Sequence, residues 1–164
     1  MGVFDELLEV RLPPIAIQFF HVFSRFECAL KRSGKYARGD GQWVTPRWAS
    51  FADDLGAEFL SDVVKSGQAK TLIERPPNKQ ILVHEGQLGW KVGEPIQTTR
   101  DLIDAVRTVR NNLMHGGKYR EAGYGSPAMV EGSERDEKLL SESLNVLAMA
   151  LERSPLVREH FGRI

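Results

Sequence analysis

The chain has 164 residues, 41% hydrophobic and 27% charged, which is enough apolar content for one soluble globular domain spanning 1–164 with its own core. The 22 Lys and Arg balance the 22 Asp and Glu, so no net field draws it toward nucleic acid or an anionic membrane. One cysteine, Cys28, leaves no internal disulfide and no Cys-rich metal site; Met1–Pro14 does not read as a signal peptide and no apolar run reaches roughly 18 residues, so the expected setting is cytoplasmic, without a membrane. Pro13-Pro14 opens a first helix over Ile15–Lys31, with Phe19, Val22, Phe23, Phe26 and Leu30 at helical spacing and Ser33-Gly34 ending it. Lys35–Pro46 reads as a polar loop. Arg47–Lys65 reads as a second helix, striped by Trp48, Phe51, Leu55, Phe59 and Val63, with Gly56 an unfavourable residue in its middle.

Ala69–Arg75 allows a short helix that Pro76-Pro77 stops. The helical rhythm breaks over Gln80–Gln97, where Ile81-Leu82-Val83 and Trp90-Lys91-Val92 flank Glu85-Gly86-Gln87 as a small β-hairpin. Thr98 is a candidate N-cap, with Asp101 in the first turn, for a helix running to His115. Gly116–Gly132 is a Gly-rich connection, Ser133 caps a long helix through Leu151, and Ser154-Pro155 opens a short terminal one. The sum is a mostly α bundle of four main helices plus short helices, with a β insertion at about 80–97.

The chemistry concentrates in Arg110-Asn111-Asn112-Leu113-Met114-His115, followed by Gly116-Gly117. At about 100° per residue, Leu102, Val106, Val109 and Leu113 form a core-facing stripe roughly 60° wide. Arg110 lies about 70° from its centre and His115 about 150° away, so His115 shares the outward face with Asn111. Ile103, Arg107 and Met114 lie between that face and Arg110. Between Arg100 and Arg120 five Lys/Arg stand against two acids, an excess of +3 suited to an anionic substrate. A guanidinium and an imidazole can together process a phosphodiester without a metal: one stabilises charge on phosphorus, the other moves protons near neutral pH. The structural alternatives for His115 are a satisfied core histidine, against which its outward face speaks, and a residue capping the helix C-terminus and favoured by its dipole.

Arg110-Asn111 followed by His115 has the form Arg-x4-His near the end of a late helix in a small bundle, and this resembles the HEPN (higher eukaryotes and prokaryotes nucleotide-binding) superfamily. Phe19–Glu27 is likewise similar to the first helix of uncharacterised bacterial HEPN-like proteins. The resemblance implies a HEPN-like fold and a metal-independent endoribonuclease needing no cofactor, with Arg110 and His115 as catalytic pair and Asn111 orienting them. It implies RNA as substrate and a homodimer whose two motifs line one cleft. A toxin or phage-defence setting, with an antitoxin or regulatory protein as partner, goes with it. Other members of that superfamily keep the bundle without nuclease activity, as nucleotide-binding or scaffold modules, and that is the alternative. The 2′-hydroxyl of RNA would be the nucleophile and a 2′,3′-cyclic phosphate the product. Arg107, Lys118 and Arg120 are the candidates for contacts to substrate phosphates, solvated charges being the competing reading for Lys118 and Arg120.

Elsewhere the readings are structural. His21 and Arg25 read as a surface i, i+4 pair, the alternatives being a network near Glu27 or a place lining the cleft, and Cys28 is a small buried hydrophobe. Asp53, Asp54 and Glu58 form an ordinary acidic helix face rather than a metal site, and His84-Glu85 is exposed on the hairpin. Trp43, Trp48 and Trp90 are too scattered for a base-stacking platform and suit core or interface packing.

Overall fold

In the computed structural model, residues 12–39, 41, 43–115 and 134–162 are described. Helix α1 (Pro14–Arg32) begins at Pro14, whose missing N–H and fixed φ suit a first helical position. It buries Phe19, Phe23, Phe26 and Leu30 along one stripe. The chain then forms strands β1 (Ala37–Arg38) and β2 (Thr45–Pro46), paired antiparallel with Arg38 opposite Thr45, inside the segment expected to be only a loop.

The expected second helix is two: α2 (Trp48–Leu55) and α3 (Ala57–Ser66). The break is Gly56, at φ 78° and ψ 171°, a region open essentially to glycine alone. Helix α4 (Lys70–Glu74) follows, then strands β3 (Lys79–Leu82) and β4 (Leu88–Lys91), joined through a 3₁₀ turn at His84–Gly86. The hairpin is present, but its ladder pairs Lys79 with Lys91 and Leu82 with Leu88, so Val83 and Val92 fall outside it. Helix α5 (Thr99–His115) carries the motif, α6 (Glu134–Arg153) is the long late helix, and α7 (Pro155–Gly162) ends the described chain.

Helix α1 packs against both α6 and α7, α2 against α5, and α4 against α6. Their shared interior is aromatic: Trp48 stacks on Phe23 and Phe26, and Phe51 meets Phe26 and Tyr36 edge-on. Arg25 is half-buried and reaches α7. Its Nε donates to the Phe161 carbonyl at 2.9 Å and its guanidinium lies over the Phe161 ring, tying α7 to α1. Of the three tryptophans, Trp48 packs in the core, Trp43 is 90% exposed and so lies outside it, and Trp90 is half-buried. Cys28 too is half-buried rather than enclosed. Asp53 pairs with Arg100, and Asp54 with Lys35 and the Tyr36 hydroxyl, so these two carboxylates are tied up in ion pairs and hydrogen bonds. Among the described residues no helix is long and apolar enough to cross a membrane.

Candidate functional site

Helix α5 starts where the sequence places its cap. The Thr98 hydroxyl accepts from the Asp101 N–H at 3.1 Å, and the Asp101 carboxylate accepts from the Thr98 N–H at 2.8 Å, a reciprocal capping box. Burial raises the Asp101 pKa, but the Thr98 hydroxyl, the Gln97 and Thr98 N–H groups and the Lys79 charge outweigh it, so the carboxyl sits below its usual range. With the start fixed, Leu102, Val106 and Val109 turn into the core and Asn111 and His115 turn out, as the face geometry requires. Ile103 departs from the expected outer border. It is 1% exposed, because α2 and α3 cover that side of the helix within the same chain.

His115 opens onto a groove of about 1000 Å³ between the outer face of α5 and the start of the β3–β4 hairpin. Arg107, Thr108, Asn111, Asn112 and Asp104 line it from the helix, Lys79 and Gln80 from the hairpin. The hairpin is held there by Asn112, which is buried and donates through Nδ2 to the Asn78 carbonyl at 2.8 Å. Arg107 reaches back one turn to Asp104 at 2.6 Å, an exposed pair of small energetic weight. A second hollow of about 430 Å³ shares Lys79, Asp104 and Thr108 with this groove and continues toward Pro76, Pro77 and Ile96.

Arg110 has other neighbours. Its Nη2 donates to Glu27 Oε1 at 3.2 Å and its guanidinium lies over the Phe23 ring, 5.1 Å from the centroid, so it faces α1. Glu27 Oε1 also accepts from the Trp48 indole at 3.1 Å, linking α1, α2 and α5 through one carboxylate. The structure thus brings Arg107, Asn111 and His115 together in one groove, and sets Arg110 on the flank of the same helix. Lys118 and Arg120 lie outside the described residues, as do Gly116 and Gly117.

Several contributors were not singled out as site residues from the sequence, among them Asp104, Thr108 and Asn112 of the helix itself, Lys79, Gln80 and Glu27. Lys79 and Gln80 reach the groove next to the Asn112–Asn78 bond, a contact 34 residues apart that no local pattern announces. Glu27 could have been found as a carboxylate next to the Phe23–Phe26 stripe, but its partner on another helix could not. Among the described residues no group of three or more His, Cys, Asp and Glu side chains is arranged to hold a metal ion. No family model matches this chain, and no curated protein or solved structure does either.

Proposed function

We propose that the chain is a metal-independent endoribonuclease of HEPN type that cleaves RNA through the substrate's own 2′-hydroxyl. The observation that carries this reading is the groove itself: an open imidazole, His115, sharing it with Arg107, Lys79 and three side-chain amides. His115 takes the 2′ proton, the 2′ oxygen attacks phosphorus, and the bond to the 5′ oxygen breaks as that oxygen gains a proton. Arg107 and Lys79 hold the phosphate and spread the charge of the transition state, while Asn111 orients the ribose-phosphate. The second proton transfer falls to His115 of another copy, which makes the active species a homodimer. Arg110 contributes from the flank, where one hydrogen bond to Glu27 holds it and a substrate phosphate can compete for the same guanidinium. A toxin or phage-defence role, restrained by an antitoxin or regulatory protein, belongs to this proposal.

The test is cleavage of a mixed-sequence RNA in excess EDTA. Wild type is expected to leave 2′,3′-cyclic phosphate ends, and His115→Ala, altered at an exposed position, to keep its melting temperature and lose at least 100-fold in rate. Equal rates in the two proteins would overturn the reading. One observation favours the alternative, a non-catalytic nucleotide-binding or scaffold module: Arg110 is already engaged by Glu27. That alternative expects saturable nucleotide binding without cleavage, weakened by Arg110→Ala.

A further inference from the structure

The β1–β2 hairpin carries a feature that the fold does not need. Trp43 at its tip is 90% exposed and Val44 beside it 50% exposed, although burying an indole is among the larger stabilising gains open to a chain. Gly39 makes this tip possible, since a Cβ there would lie 2.9 Å from the Trp43 carbonyl oxygen. Arg38 and Thr45 are cross-strand partners, and Trp43 and Arg47 stand two residues before and two residues after Thr45.

The charge around this tip is one-sided. From Lys31 to Arg47 the sequence holds five cations (Lys31, Arg32, Lys35, Arg38, Arg47) and one acid, Asp40, a formal +4. Three of the five have structural explanations. Lys31 and Arg32 complement the C-terminal end of α1, and Lys35 is paired with Asp54 at 2.6 Å. Arg38 and Arg47 are exposed and form no ion pair with any described residue. Arg47 in addition sits at the N-cap of α2, where the helix dipole disfavours a cation. An exposed indole and two guanidinium groups without an ion pair among the described residues, one in an unfavourable place, together offer what a single-stranded nucleic acid binds: a stacking plane beside phosphate forks.

We infer that the β1–β2 hairpin is a binding site for single-stranded nucleic acid, with a base stacked on Trp43 and backbone phosphates on Arg38 and Arg47. It depends on no step of the cleavage reading, because it lies on different elements from His115 and would stand if that residue were inert. An anionic lipid surface is disfavoured, since a lone Trp43 with Val44 makes a small apolar wedge and the hairpin is no amphipathic helix.

Trp43 supplies its own probe. Fluorescein-labelled 12-nucleotide oligo(rA) and oligo(dA), titrated in EDTA with the full-length protein carrying His115→Ala, are expected to bind and to quench tryptophan emission. Trp43→Ala, which removes no buried contact, is expected to weaken binding about tenfold and abolish the quench at unchanged melting temperature. Arg38→Ala and Arg47→Ala are each expected to lower the slope of log affinity against log salt by about 1. A stronger response to the ribose oligomer would assign the site to RNA, an equal one to single strands of either sugar. Three results overturn the inference: unchanged affinity in Trp43→Ala, loss of self-association in that variant without loss of oligomer binding, or binding to phosphatidylserine vesicles with none to either oligomer.

Discussion

Asp101 shows how a single carboxylate sets the position of the candidate site. Its hydrogen bonds to Gln97 and Thr98 define where α5 begins, and every later residue of that helix takes its rotational position from there. The folded-state pKa is depressed, so the stabilisation is present above the unfolded value of about 3.9 and is lost as pH falls through the folded one. Asp101→Ala is expected to cost about 1 kcal/mol at pH 7 in urea titrations, and the difference from wild type to shrink as pH falls through the depressed folded-state value. A pH-independent difference would mean that the side chain acts by packing alone. Thr98 and Asp101 were legible in the sequence because a capping box is local: both partners lie within four residues. The pairing of Arg110 with Glu27 was not legible, since the two are 83 residues apart and meet only when α1 and α5 pack.

At the level of elements, the helices follow from periodicity and their ends from single residues. Gly56 illustrates the limit of the hydrophobic stripe as a guide. Leu55 and Phe59 keep helical spacing across it, yet the backbone takes an extended, positive-φ conformation and α3 leaves in a new direction. Nothing lies within 4 Å of a Cβ built at this glycine, so the obstacle to Gly56→Ala is backbone conformation rather than a clash. That substitution is expected to cost about 1–3 kcal/mol by thermal or urea unfolding; a neutral result would mean that α2 and α3 can fuse without penalty. The β3–β4 hairpin was found because two short runs, Ile81-Leu82-Val83 and Trp90-Lys91-Val92, flank a turn where the helical rhythm breaks. Its exact register was not, because neither face is well buried: the partners Leu82 and Leu88 are 72% and 68% exposed, so burial does little to select one pairing over its neighbours.

For the whole molecule, the aromatic interior joins elements distant in sequence into one packing unit. Phe26 is fully buried and touches Trp48 of α2, Phe51 of α2 and Phe161 of α7. Phe26→Ala is expected to cost about 3–5 kcal/mol, with near-UV and far-UV circular dichroism still following one transition. Separate transitions would show that α7 unfolds apart from the rest. By itself the sequence determined the mostly α character, the start of the motif helix and the outward turn of Asn111 and His115, because propensity, capping and the 3.6-residue period act within a few turns. Only the tertiary structure decided that Arg107 with Lys79, rather than Arg110, shares a groove with His115, that Trp43 stands clear of the core, and that Ile103 belongs inside it. Those outcomes depend on which helix covers which side of another, and that is set by packing between residues far apart in the chain.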